Sequence, residues 1–357
     1  MPAREDLRRR AASNLAAARL DLEAAYAESD LDRTRLLDAL MSSGGDILLY
    51  RPQLQHYAVL FGDLETADHV AVYVPGIGDG TNLSEDWIPG AINLFEEAEA
   101  TAVVMWKGYD NPVDMLAAAE GAIECDEHLL TAGSDLVSFV ESLELEPAQT
   151  LTIVAHSFGS IVAGTALADF DLNVTDVVVA GSPGMTVDEL RQLHVTDTHF
   201  FSEQAPGDAI AELGVFGAAP ASPHFGGTRM EVNAPNHPEV AAHSHYLDKG
   251  SEALENIADV VTGHYDDVSR HHTSLAEVVG GFVAWALQLP AAPVRVASRH
   301  YRGPGFRIVL NACRLVDFGA TQTGNLVVEV VDHSERALVC LGRRVGAVPR
   351  PGSGPNE

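Results

Sequence analysis

Lysine is almost missing from this chain. Only Lys107 and Lys249 occur among 357 residues, and all the rest of its 22 Lys and Arg residues are arginine. Lys and Arg together number 22 against 51 Asp and Glu, a formal net charge of −29. A phosphate backbone or an anionic membrane surface repels such a chain, so no nucleic-acid partner is expected. The arginine bias fits a GC-rich genome or an acidic, salt-tolerant proteome, and does not separate the two. Cysteine is scarce as well. Cys125, Cys313 and Cys340 are odd in number and far apart, which speaks against a secreted disulfide framework. No apolar run approaches the roughly 20 residues of a membrane span. The opening MPAREDLRRR is charged and has no apolar centre, so no signal peptide is expected and a cytoplasmic protein is the default reading.

What is present is patterned. Leu7, Ala11, Leu15, Ala18, Leu22 and Ala25 recur at spacings of three and four between charged residues, predicting a helix over 4–28. Ser29-Asp30 ends it or caps a second helix over about 31–41, and Gly44-Gly45 closes the pair. The period then changes. DILLY, HYAVLFGD, HVAVYVPG, TAVVMW, TLTIVAH, DVVVAGSPG and THFFSE read as strands. A mostly helical 113–143, with possible breaks at Gly121 and Gly133, and an amphipathic run after His156 alternate with them. Strands alternating with helices predict a mainly parallel sheet covered on both faces, with ligands at the carboxyl ends of the strands. The stretch 214–238 reads as loop, and helices are expected at 251–262 and 274–287. The expected organisation is an N-terminal helical pair (1–44), an α/β domain (45–289), a small β appendage (290–347) and a disordered tail (348–357).

The segment TLTIVAHSFGSIVAGTAL places Ser157 between a strand and a helix, with Ala155 and Gly159 two residues to either side. That is the shape of a nucleophile elbow, whose crowded turn admits only small residues at those positions and pushes the serine hydroxyl out above the sheet. The plain alternative is a capping serine in a tight strand-to-helix turn. A serine nucleophile needs a base and an acid, which in this architecture follow it in the order acid, then histidine. Asp208, in a turn after THFFSE, lies 51 residues on; it could equally be a helix cap, and Glu203 is the alternative acid. The histidine is His243 or His245 in AAHSHYLDKG. An oxyanion hole would use the N–H groups of Phe158 and of Ile77 in VPGIGDGTN, where Gly76 and Gly78 allow backbone close to a substrate. That loop lacks the GK[ST] ending of a phosphate loop. No HExxH or paired-cysteine pattern is present, and His264, His271 and His272 with Asp266 and Asp267 read as a solvated loop. No metal or cofactor is expected.

In this order the segments LETADHVAVYVPGIGDGTNL, VVMWKGYDNP, TIVAHSFGSIVAG, VVVAGSPGM, APGDAIAELGVFGAAPASPHFGG and AAHSHYLDKGSEALENIADVVTG resemble an α/β-hydrolase family of unknown function that is widespread in actinobacteria. The resemblance runs from roughly 45 to 263. It implies an α/β-hydrolase fold with Ser157 as nucleophile, Asp208 as acid and His243, in a His-Ser-x-Tyr motif, as base, with His245 as the alternate. It places Tyr109, in Trp106-Lys107-Gly108-Tyr109-Asp110, beside the substrate pocket. Ala155 departs from the family's usual glycine, and the appendage after 290 lies outside the resemblance. The expected activity is hydrolysis of a small-molecule ester or related acyl bond. An acyltransferase would use the same parts, and a non-catalytic binding or scaffold protein on a hydrolase fold is the reading of another class. Oligomeric state is not legible.

Overall fold

The computed structural model describes residues 2–77, 87–111, 125–170, 172–211, 216–232 and 243–271. Gly78, Gly121, both ends of the expected 214–238 loop, the helix expected at 274–287 and the expected appendage and tail lie outside these residues.

Helices α1 (Pro2–Glu28) and α2 (Leu31–Ser42) open the chain. Ser29 ends α1 at φ 59°, and the Asp30 side chain accepts from the Arg33 N–H at 3.1 Å, so Asp30 caps the second helix. Strands β1 (Asp46–Arg51) and β2 (His56–Phe61) follow, joined by a short 3-10 turn over Pro52–Leu54. Then come β3 (His69–Val74), α3 (Trp87–Glu97), β4 (Thr101–Lys107), α4 (Cys125–Glu141), β5 (Thr150–His156), α5 (Phe158–Asp169), β6 (Asp176–Ala180), β7 (Phe200–Glu203), β8 (Thr228–Arg229) and α6 (Glu252–Val261). The eight strands form one sheet in the order β1-β2-β4-β3-β5-β6-β7-β8. The pairs β1–β2 and β2–β4 are antiparallel, and all others are parallel. The mainly parallel, helix-flanked sheet agrees with the expected α/β-hydrolase fold class.

The pleat explains the layers. In β3, Val70, Val72 and Val74 enter one core with α4 and α5, while Ala71 and Tyr73 enter the other with α2, α3 and α6. A strand buried on both faces reads as a continuous apolar run, which is why HVAVYV carries no polar alternation.

Three local expectations need correction. Helix α4 runs through Gly133 without a break; a Cβ there would lie 3.0 Å from Thr165 Cγ2 and 3.1 Å from Ala166 N. The glycine permits a close crossing of α4 and α5. Helix α5 is not amphipathic: every residue from Phe158 to Leu167 is buried. Within the expected loop 214–238, Thr228–Arg229 pair with Phe201 and Ser202 as the edge strand β8. Helix α3, which contains Pro89 and Gly90, was not assigned from the sequence.

Candidate active site

Strand β5 lies between β3 and β6, so its carboxyl end falls at the middle of the sheet. There Ser157 adopts φ 53° and ψ −126°, a conformation costing a non-glycine residue on the order of 1–3 kcal/mol. Its N–H donates to the Ala180 carbonyl at 3.0 Å. A Cβ on Gly159 would stand 2.1 Å from the Val74 carbonyl oxygen, and one on Gly76 would stand 2.7 Å from Ser157 Cβ. The turn thus closes only with glycine at 159. Ala155, facing Val74 across the β3–β5 ladder, fits with its methyl fully buried, so the departure from glycine at that position is accommodated.

Ser157 Oγ lies 2.8 Å from His243 Nε2, and His243 Nδ1 lies 2.9 Å from both oxygens of Asp208. Asp208 is fully buried. Burial pushes its carboxyl up, but hydrogen bonds from His243, Tyr246 and the Ala211 N–H outweigh this and hold it below the usual carboxylate range. An ionised carboxylate only accepts, so Nδ1 carries the ring proton and donates, leaving Nε2 free to accept from the serine hydroxyl. Asp208 also accepts from the N–H groups of Ile210 and Ala211 at 3.0 and 3.1 Å. These bonds close the turn 209–211, which is not helical, so Asp208 holds its own turn and the histidine together, in place of the helix cap weighed for it. Gly181, at φ +59°, makes room: a Cβ there would meet Asp208 Oδ2 and Tyr246 Cε2, each at 2.9 Å.

The alternates sit elsewhere. His245 Nδ1 pairs with Asp248, not with Ser157. Glu203 is buried, with no hydrogen-bond partner for either carboxyl oxygen among the described residues, and burial raises it well above the usual range. Ile77 lines the cleft beside Ser157, and Phe158 opens α5, where a helix leaves its first N–H groups without internal acceptors. Tyr109 is buried behind the cleft. Its hydroxyl donates to the Pro75 carbonyl and lies 3.1 Å from that of Gly76, so it holds the strand end that leads to Ile77. The remaining walls include Tyr73, Trp87, Asn93, Tyr246, Leu247 and Asp248.

Three further residues were given no role in the sequence reading. His156 donates from Nε2 to the His243 carbonyl at 2.7 Å, and its ring lies 4.9 Å from that of His243 at a tilt of 39°. Burial, then the neighbouring His243, push its pKa down to about 3, so it stays neutral. Tyr246 donates to Asp208 at 2.7 Å and accepts from the Ala205 N–H at 2.8 Å. Lys107 is 2% exposed; its ammonium donates to the Tyr109 carbonyl and lies 3.4 Å from that ring's centre. Tyr246 was visible as the end of the His-Ser-x-Tyr motif, and Lys107 as one of two lysines. His156 had no signal beyond its place before Ser157. Among the described residues no group of three or more His, Cys, Asp or Glu side chains could hold a metal ion. His271 instead pairs with Glu231, and His264 lies 3.0 Å from Thr262 Oγ1. None of the helices in the described residues is long and apolar enough to cross a membrane.

Residues 52–218 match a family model described as alpha/beta hydrolase, a stretch that includes Ser157 and Asp208 and ends before His243. The chain is 27% identical over 295 residues to the uncharacterized protein Rv2079 of Mycobacterium tuberculosis, covering 70% of this chain and 44% of that protein. It therefore spans less than half the length of that relative. It is 31% identical over 196 residues to the uncharacterized protein Rv0963c of the same organism, covering 49% of this chain and 71% of that protein. Among solved structures, a carboxyl esterase from Bacillus coagulans aligns at 15% identity and TM-score 0.25, over 36% of this chain and 40% of that one. A lipase/esterase from Lactobacillus plantarum aligns at 12% identity and TM-score 0.30, over 46% and 80%. With the family model spanning the sheet from β2 through β7, and most of one relative's length aligned, the chain belongs to the alpha/beta hydrolase family.

Proposed function

We propose that the chain is a serine hydrolase that cleaves an ester or related acyl bond through an acyl-enzyme on Ser157. One observation carries the reading: a serine in a strained elbow conformation, 2.8 Å from a histidine whose other nitrogen is held by a buried, ionised carboxylate. Ser157 Oγ attacks the substrate carbonyl carbon as its proton passes to His243 Nε2. The negative charge that develops on the carbonyl oxygen is met by the N–H groups of Ile77 and Phe158. His243 then returns the proton to the departing alcohol. A water, deprotonated by the same nitrogen, releases the acid from Ser157. Asp208 stays ionised throughout and fixes the imidazole.

Labelling with a fluorophosphonate tests this. Native wild type is expected to label, and both heat-denatured protein and Ser157→Ala are not. Turnover of a p-nitrophenyl ester should fall by roughly 10³-fold or more in Ser157→Ala. A folded wild type that neither labels nor turns over a series of esters would turn the assignment towards a binding protein.

A further inference from the structure

We propose that the cleft at Ser157 selects by charge, accepting uncharged or cationic esters and turning away acyl donors that carry a carboxylate or phosphate. The proposal rests on the hydrolase reading of the same site and narrows its substrate class.

The first observation is a gap in the sequence. From residue 52 to residue 190 there are 24 acidic residues, and Lys107 is the only Lys or Arg. Tyr73, Ile77, Trp87, Asn93 and Ser157 all come from this stretch. The second is where that lysine goes. Its ammonium is buried behind the cleft wall, donates to the Tyr109 carbonyl, and lies 3.4 Å from the Tyr109 ring centre and 6.0 Å from that of Trp87. It is committed to the support of the Pro75–Gly76 strand end and does not face a substrate. The third is the opposite wall. There His243 is bonded to Asp208; the neighbouring His245 and Lys249 are not lining residues, His245 being paired with Asp248 and the exposed Lys249 with Glu96 at 2.6 Å. Asp248 itself lines the cleft. Bound anions need Arg or Lys forks, or a cluster of N–H donors. Here the N–H donors at the elbow are those assigned to the oxyanion. A second negative group on the substrate would meet Asp248, with no Lys or Arg among the described lining residues to offset it.

Three matched esters test the proposal: p-nitrophenyl hexanoate, mono-p-nitrophenyl adipate and p-nitrophenyl 6-(trimethylammonio)hexanoate. The values of kcat/KM, each divided by the uncatalysed rate, are expected to put the adipate half-ester about tenfold or more below the hexanoate at low salt. The cationic ester should equal or exceed the neutral one. The gap should narrow as ionic strength rises from about 0.01 to about 1 M. Asp248→Asn should narrow it severalfold at low salt. An adipate half-ester that matches or beats the hexanoate overturns the proposal. Labelling rates with a neutral and a carboxylate-tailed fluorophosphonate give the same comparison where turnover is slow. If the neutral probe labels Ser157 but no charge order appears, the charge selection alone falls. If neither ester nor probe reacts with folded protein, the hydrolase reading falls and the proposal falls with it.

Discussion

Asp208 accepts more hydrogen bonds than orientation of a histidine requires. Two backbone N–H groups fix the carboxylate from its own turn, and Tyr246 fixes it from the histidine's loop. Tyr246→Phe removes a donor to a buried anion and strands the Ala205 N–H. It is expected to cost about 1.5–3 kcal/mol in denaturant unfolding. It should also lower kcat/KM by about ten- to a hundredfold, the scale of a misplaced catalytic group. Two other buried ionisable residues set opposite pH slopes. Burial lowers Lys107 to about 7, so between there and its unfolded value the unfolded chain binds the extra proton, and stability rises with pH across that window. Lys107→Met should remove a slope of up to about 1.4 kcal/mol per pH unit between pH 7 and 10. Glu203 is raised, first by burial and then by Glu252, so the folded chain holds the extra proton and stability falls as pH rises above the unfolded glutamate value. Glu203→Gln is expected to be more stable than wild type at pH 8 and nearly equal at pH 4, read by urea unfolding at both.

The strand-turn-helix of β5, Ser157 and α5 is held by contacts with β3 and with the strand end after it. Gly159 has no tolerance there, since an added methyl would sit 2.1 Å from a carbonyl oxygen in a turn that cannot retreat. Gly159→Ala should therefore destabilise by on the order of 4 kcal/mol or more, seen as lost soluble expression or a sharply lowered Tm. Tyr109 supports the same turn from β4's end. Tyr109→Phe keeps the ring packed on Phe158 but releases the Pro75 and Gly76 carbonyls. If the Ile77 N–H stabilises an oxyanion, kcat should fall by about tenfold with KM little changed, because that contact strengthens only in the transition state. A fall in KM-dependent binding alone would count against that role for the loop.

Across the whole molecule, the N-terminal helical pair behaves as part of the core. Ala18, Ala25, Leu37 and Leu40 are essentially unexposed and share one apolar cluster with Ile47, Tyr57 and Val59, and Asn14 donates to the Ile47 carbonyl at 2.8 Å. Burial is worth about 1.5–3 kcal/mol for each fully enclosed aliphatic side chain. A chain beginning at residue 45 is expected to be insoluble or to melt well below the full chain, measured by expression and calorimetry; an unchanged Tm would make the pair a separable extension.

The alternating strands, the buried character of β3 to β6 and the serine-centred turn were legible because each rests on local pattern: apolar runs, side-chain size and glycine spacing. Asp208 and His243 were legible as candidates by order and motif. Which histidine meets Ser157, and which acid meets that histidine, was decided by the approach of segments 35 and 86 residues apart, a distance relation with no local trace. The same holds for the helix at Trp87, whose Pro89 and Gly90 mask its period. It holds for Lys107, which composition marked as rare but only packing placed under Tyr109. Local chemistry determined what each segment could become. The tertiary fold decided which side chains share a low-dielectric space, because contacts and pKa shifts depend on separation in space and not along the chain.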